Sequence, residues 1–300
     1  MKAVRFYEYG GPEVLTLEDI DQPTPGAGQI RIAVKAAGIN PIDWKIRAGY
    51  MREFMPLTLP AGIGIDAAGI VEAIGKDVTG VSVGDAVFGK GNATLAEYAI
   101  LHEWAQKPET LSFEEAAGFP VAVETATRII DELDVKSGET LLVSGAAGGV
   151  GSALIQLAKA SGIRTIGTAS APKHAYLQSL GAIPTTYGPG LVERVAVLVS
   201  GGVQAAADVA GSGVIPDLVA ITGTPLKVVS ISDFHAPEYG VRTLFEEKNS
   251  TPALVRAATL FVAGAFTLPV ARTFTLNEVG AAHELSAQGH VTGRLVITMD

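Results

Sequence analysis

Thr140-Leu-Leu-Val-Ser-Gly-Ala-Ala-Gly-Gly-Val-Gly-Ser152 is the stretch whose reading decides the fold. An apolar run, Leu141 to Val143, breaks into Gly145, Gly148, Gly149 and Gly151. Helical spacing then takes over, with Val150, Leu154, Leu157 and Ala158 on one face. Strand, glycine turn and helix together set backbone N–H groups at a helix N-terminus, where a pyrophosphate binds. Gly148 lets the backbone approach the phosphates, and Gly151 lets the helix pack close to its strand. The spacing is Ala146-x-Gly148-x-x-Gly151, so alanine stands where G-x-G-x-x-G has its first glycine. On its own the loop reads either as a nucleotide cradle or as a glycine-rich turn between packed elements.

Outward from the loop, strands and helices alternate. The pattern predicts strands at 140–144, 163–168, 205–210 and 226–231, with helices at 150–161, 173–180, 191–199 and 214–220. That is an α/β arrangement, a doubly wound parallel sheet. Upstream, Ser112-Phe-Glu-Glu115 fits a capping box, and Ala126, Ile129, Ile130 and Leu133 recur at helical spacing until Lys136-Ser-Gly138. The first hundred or so residues are β-rich. Ile30, Ile32 and Val34 alternate with Arg31, Ala33 and Lys35, and short strands are expected at Val14–Leu17, Gly69–Ile74, Asp85–Phe88 and Glu97–Ile100. A small barrel or sandwich suits that spacing. Downstream come a helix at Pro252–Ala263, a strand near Leu268–Arg272, a helix capped by Thr275-Leu-Asn-Glu278 and a last strand, Leu295–Thr298.

Composition excludes several function classes. Three hundred residues suggest about two domains. Apolar content is 48%, yet no run approaches the roughly 18–20 residues of a membrane span. The start, Met1-Lys-Ala-Val-Arg-Phe-Tyr, alternates like a strand and lacks a signal-peptide core, so a soluble cytoplasmic protein is expected. Zero cysteines exclude disulfides, thiol catalysis and Cys-ligated zinc. A net charge of −9 with no basic run argues against nucleic-acid binding. The five histidines, His102, His174, His235, His283 and His290, show no ligand spacing, so no metal is expected.

Further landmarks run through the chain in a fixed order. They are Tyr9-Gly-Gly-Pro-Glu-Val-Leu15, Gly38-Ile-Asn-Pro-Ile-Asp-Trp-Lys45, Gly64-x-Asp66-x-x-Gly69-x-Val71 and Val83-Gly-Asp-Ala-Val-Phe-Gly89. Ala96-Glu-Tyr98, the glycine loop, Asp208-x-x-Gly211 and Gly293-Arg-Leu-Val296 complete the series. In these motifs the sequence resembles the zinc-independent medium-chain dehydrogenase/reductases, in their quinone oxidoreductase and zeta-crystallin-like branch. The resemblance implies a GroES-like β-rich domain at 1–113, rejoined by 272–300, and a Rossmann dinucleotide-binding domain at 114–271. It implies NADPH and hydride transfer to a quinone or an α,β-unsaturated carbonyl. Zinc-dependent relatives carry Cys where this chain has Asn40 and His-Glu where it has Ile65-Asp66.

The cofactor expected is NADPH rather than NADH. No Asp or Glu occurs between Glu139 and Glu193 in a chain that is acidic overall, while Lys159, Arg164 and Lys173 lie in that window. An Asp or Glu about 20 residues past the loop would read a free 2′-hydroxyl. Here Ser170 and Lys173 can instead donate to a 2′-phosphate, and a charge-assisted bond contributes about 1.5–3 kcal/mol. Lys173 is otherwise a solvated lysine of a first helical turn. By the resemblance, Tyr187 stacks near the adenosine; otherwise it is a half-buried packing residue.

The resemblance also places Asn40 and Thr125 beside the nicotinamide. Glu124 stands where relatives carry an apolar residue, and a helix-capping hydroxyl is the other reading of Thr125. The cofactor set is completed by Gly145, Ala147, Gly148, Gly149 and Val150 in the loop, Ala210 and Ser230 at later strand ends, and Arg294 for a phosphate. No dedicated acid or base stands out; Asn40, Thr125 and Phe234 are the candidates to line the substrate cleft. Asp43 and Trp44 are either mouth residues or structural ones. The region His235–Lys248 is shorter and less regular than in relatives. Two alternatives stay open: a reductase of enone or alkenal double bonds, and a non-catalytic NADPH-binding sensor or structural protein. Relatives pair edge strands, so a homodimer is expected; the apolar segment Ala265–Val270 either pairs in this way or is an edge strand packed within its own chain.

Overall fold

The structure is a computed structural model and describes residues 1–244 and 249–299. In chain order it contains β1 (Lys2–Phe6), β2 (Leu15–Asp19), β3 (Ile30–Ile39), α1 (Pro41–Arg47), β4 (Ala61–Gly62), β5 (Asp66–Ile74), β6 (Ala86–Asn92), β7 (Tyr98–Gln106) and α2 (Phe113–Ala117). Then follow α3 (Pro120–Leu133), β8 (Thr140–Ser144), α4 (Gly149–Ala160), β9 (Arg164–Thr168), α5 (His174–Leu180), β10 (Ile183–Thr185), α6 (Leu191–Leu198), β11 (Ala205–Asp208) and α7 (Ile215–Thr222). The remainder is β12 (Val228–Ser230), β13 (Arg242–Thr243), α8 (Thr251–Val262), β14 (Val270–Thr275), α9 (Val279–Gln288) and β15 (Arg294–Thr298). Two compact units result: Met1–Val121 with Asn249–Ala263 and Leu268–Asp300, and Ala122–Lys248 with Gly264–Thr267.

The first unit is a GroES-like fold built round β3. Ile30, Ile32 and Val34 point to one core, and the strand is buried on both faces from Ala36 onward. That burial follows from its pairing. β3 is antiparallel to β15, to β5 and, at its start, to β7, so the strands β3, β5, β6 and β7 close on themselves. Closure removes the open edges that would otherwise pair with other chains. A second small sheet, β2-β1-β4, adds Val4 and Phe6 to the same core.

The second unit is a six-stranded sheet in the order β10-β9-β8-β11-β12-β13, and each pairing is parallel. This is the Rossmann strand order, which reverses between β8 and β11. All five residues of β8 are buried, as a strand covered by helices on both faces requires. Two strands of this sheet escaped the sequence reading. β10 contains Pro184, which cannot donate to a ladder and is tolerated because β10 is an edge strand. β13 is two residues long and leaves no periodicity to read.

The division of the chain also differs from the expected boundaries. Helix α8 was expected with the nucleotide-binding part, yet it packs with the first unit. Phe261 of α8 meets Phe119 edge-on at 6.2 Å, and Phe119 meets Phe88 of β6 at 5.9 Å. Just before the helix, the Ser250 N–H donates to Glu103 of β7 at 3.0 Å. In the second unit, the side-chain amide of Gln156 bonds both backbone groups of Thr267, at 2.8 and 2.9 Å, and so claims residues 264–267. Within Ala265–Val270, Phe266 and Leu268 are buried inside the single chain. Among the described residues no helix is long and apolar enough to cross a membrane.

Phe119 holds an aromatic chain from β6 to α8 and has no exposed surface. Its replacement in Phe119→Ala is expected to cost about 3–5 kcal/mol in urea unfolding. A loss under 1 kcal/mol would show that α8 is not held by this contact.

Candidate functional site

The glycine loop lies where the strand order reverses. Gly145 leaves β8 with φ +82°, a left-handed conformation that suits glycine. A Cβ there would stand 2.9 Å from the Ala210 side chain, so the ends of β8 and β11 adjoin through these two residues. Gly151 is equally constrained: a Cβ would lie 2.5 Å from the Gly145 carbonyl oxygen and 2.6 Å from Ala146 Cα. Beside Gly148, by contrast, the nearest atom to such a Cβ is 3.6 Å away. The loop is thus tight where helix meets strand and open at the residue that caps the twelve-residue helix α4. The first-turn N–H groups of α4, at Gly149, Val150 and Gly151, have no carbonyl a turn below them. With the helix dipole they fit an anionic diphosphate, and Ala147 stands in the same turn.

At the carboxyl end of β9, Ser170 opens a 3-10 turn, Ala171–Lys173, and the Lys173 N–H closes it on the Ser170 carbonyl at 2.9 Å. Partial burial lowers the pKa of Lys173. Tyr187 follows the neighbouring β10 and is 54% exposed. The Ala169 N–H donates to the Thr185 carbonyl at 3.0 Å and ties the two strand ends together. Of the three cations in the acid-free window, Lys173 alone lies at this end. Arg164 opens β9 and donates to the Gly138 carbonyl, and Lys159 lies in the last turn of α4, against Gly181. The sequence reading missed Arg194. From α6 its guanidinium donates to the carbonyls of Thr186, Gly188 and Pro189 at 3.0, 3.1 and 2.7 Å, shaping the Tyr187 loop and placing a positive charge beside it. The spacing from Tyr187 to Arg194 gave no local signal of that turn.

The other strand ends are organised by Asp208. One carboxylate oxygen accepts from the N–H groups of Ala210 and Gly211, both at 3.1 Å, and the other from the Ser230 hydroxyl at 2.9 Å. Ser230 Oγ in turn accepts from the N–H groups of Ser232 and Asp233. Ser230 is therefore a buried turn-builder whose hydroxyl proton is already used, and Ala210 contributes smallness rather than a free donor. Phe234, just beyond, is 43% exposed. Of the irregular region, Ala236–Tyr239 forms a 3-10 turn and β13 follows, while residues 245–248 lie outside the described residues. Thr125, on α3, donates its hydroxyl proton to Glu124 at 3.2 Å.

In the first unit, Asn40, Asp43, Asp66 and Arg294 form one buried cluster. Asn40 Nδ2 donates to Asp66 at 3.0 Å, and the Arg294 guanidinium donates to Asn40 Oδ1 at 2.7 Å and to Asp66 at 3.3 Å. The second Asp66 oxygen accepts from the Val121 N–H, in the first turn of α3, at 3.0 Å. Asp43 accepts from the Asn40 N–H at 2.7 Å, which is the backbone-bonded role allowed for it. Trp44 packs edge-on against Tyr50, whose own ring is exposed. Arg294 was expected at a cofactor phosphate; it is 4% exposed and spends its charge on Asp66. The reason is electrostatic, since a buried carboxylate and a buried guanidinium each need the other more than either needs a solvated ligand. Among the described residues, no group of three or more His, Asp and Glu side chains could hold a metal.

Burial raises Asp43 to about 8 and Asp66 to about 6, from an ordinary 3.8. The neighbouring Asp66 charge adds to the rise of Asp43, while Arg294 opposes both. Between pH 4 and 8 the folded chain keeps a proton on Asp43 that the unfolded chain has released. The stability contributed by this group is thus full below about 4 and lost as pH rises through 8. In Asp43→Asn, the melting temperature relative to the unsubstituted chain should climb from pH 5 to about pH 8 and level off above it. A difference that stays constant with pH would contradict the buried-proton reading.

Comparison with known proteins agrees with this geometry. Residues 26–109 match the alcohol dehydrogenase GroES-like domain, and residues 190–297 match the zinc-binding dehydrogenase family. Human quinone oxidoreductase is 44% identical over 176 residues, covering 56% of this chain and 53% of that protein. The 2-methylene-furan-3-one reductase of Solanum lycopersicum is 40% identical over 197 residues, 61% of this chain and 50% of the relative. These matches span about half the length of the curated relatives. The solved quinone oxidoreductase of Coxiella burnetii superposes with a TM-score of 0.87 at 33% identity, over 100% of this chain and 99% of that one. The chain belongs to the medium-chain dehydrogenase/reductase family, among the quinone oxidoreductases.

Proposed function

We propose that the protein is an NADPH-dependent reductase that delivers hydride to a quinone or a related electrophilic carbonyl compound without zinc. One observation carries the reading: the tight Gly145–Gly151 loop opens α4 at the switch point of the parallel sheet, beside the ends of β9 and β10, which are followed by Lys173 and by no carboxylate. In this reading the N–H groups of Gly149 and Val150 bind the diphosphate. Lys173 and Ser170 bind the 2′-phosphate, with the Arg194 charge behind them, and Tyr187 covers the adenine. When bound, the dihydronicotinamide would supply a hydride, that is two electrons and a proton, to the acceptor, which gains a second proton from solvent.

The proton is assigned to solvent because no candidate side chain is placed to give one. Thr125 already donates to Glu124, and Asp43, though protonated at neutral pH, has no exposed surface. Zinc independence is supported by the Asn40–Asp66 pair, which binds the chain's own cation, Arg294, instead of offering ligands. The relative that reduces a 2-methylene-furan-3-one supports the second reading, reduction of an enone double bond.

Calorimetry should give a dissociation constant for NADPH at least tenfold below that for NADH, since one charge-assisted bond contributes more than the ~1.4 kcal/mol that a tenfold ratio needs. Lys173→Met should remove about that factor for NADPH and leave NADH unchanged. A preference for NADH, or binding of neither, would end the proposal. Turnover with 1,4-quinones against short 2-alkenals then separates the two acceptor classes.

A further inference from the structure

Glu124 enters the reading above only as the acceptor of the Thr125 hydroxyl proton, yet it is an acidic side chain only 4% exposed. On α3 it accepts from Arg128 Nε at 2.8 Å and Nη2 at 3.3 Å, and from the Thr125 hydroxyl at 3.2 Å. Arg128, itself buried, donates Nη1 to the Leu244 carbonyl at 2.8 Å, just past β13. The pair is therefore held at both ends: by the helix that carries it and by the main chain after the last strand of the sheet.

The consequence for Thr125 is chemical. A hydroxyl has one proton and two acceptor sites, and an ionised carboxylate can only accept. With its proton given to Glu124, Thr125 Oγ1 faces any ligand as an acceptor alone. We infer that Glu124 is a positioning residue, which fixes the Thr125 hydroxyl as an acceptor and so selects a ligand group that donates there, the carboxamide NH2 of a nicotinamide. This rests on the dinucleotide reading proposed above. An apolar residue at position 124 would leave the hydroxyl free to turn and donate; a carboxylate held by Arg128 does not.

The test compares NADPH with its reduced 3-acetylpyridine analogue, which keeps the carbonyl and replaces the NH2 by a methyl group. Calorimetric affinities of both are measured for the unsubstituted chain, Glu124→Gln, Thr125→Val and the double variant. The unsubstituted chain should favour NADPH, and Glu124→Gln, whose amide can donate to Thr125 and turn the hydroxyl round, should shrink that preference by about five- to tenfold. Thr125→Val should shrink it as much, and adding Glu124→Gln to it should change nothing further. A merely structural Glu124 would weaken both ligands alike and leave their ratio untouched, which would overturn the inference. So would an effect of Glu124→Gln that persists without the hydroxyl. Thr125→Val keeps the Glu124–Arg128 pair intact, so a ratio equal to that of the unsubstituted chain in this variant overturns the inference even where Glu124→Gln folds poorly. Failure of the unsubstituted chain to bind NADPH at all would sink the dinucleotide reading itself, visible as loss of both ligands rather than of their ratio.

Discussion

The Asp66 carboxylate, with no surface in water, sets the terms for the first unit. A buried charge is stable only when its hydration is replaced by donors of good geometry. Here the donors come from three distant places: the amide of Asn40 ahead of α1, the guanidinium of Arg294 in β15, and the Val121 N–H at the start of α3. Each bond costs the chain a constraint, and together they fix where β3, β5 and β15 meet. Asn40 is oriented from both sides of its amide, so its side chain is a rigid element rather than a flexible one.

The second unit uses a buried carboxylate differently. Asp208 draws on its own neighbourhood: two N–H groups of the following turn and the hydroxyl of the adjacent strand. Its job is to fold the ends of β11 and β12 into compact turns beside the glycine loop. Side-chain smallness at Gly145 and Ala210 then leaves the backbone as the principal surface at the switch point. A surface of backbone N–H groups suits phosphate, which reads donors and not side-chain identity.

Local pattern was enough for features that local physics determines. Leu141–Val143 followed by four glycines located the loop, and the alternation in Ile30–Val34 located the strand round which the barrel closes. Long-range choices were not legible. Nothing in Thr251–Val262 says that Phe261 will seek Phe119 rather than the nucleotide-binding sheet. Arg294 is one arginine among many in the sequence, and only the fold shows that its partner is Asp66. Ala210 and Ser230 were read as small residues at strand ends, but the part Asp208 plays in both turns was not, because its carboxylate serves the end of its own strand and the hydroxyl of the neighbouring one. Helix α1 was the avoidable omission. Proline at its first position, Asp43 in its first turn and Lys45 and Arg47 in its last are all helix signals.

The bond from Arg294 to Asp66 joins residues 228 positions apart. The strands that carry the two ends, β15 and β5, pair with opposite edges of β3, so the ion pair is a clasp across that strand. Burial pushes the Asp66 carboxyl up and Arg294 holds that rise in check, so the clasp also sets the charge of the group it closes on. Without the arginine the carboxyl would be sealed in lacking its guanidinium partner, and closing the seam would require it to take up a proton.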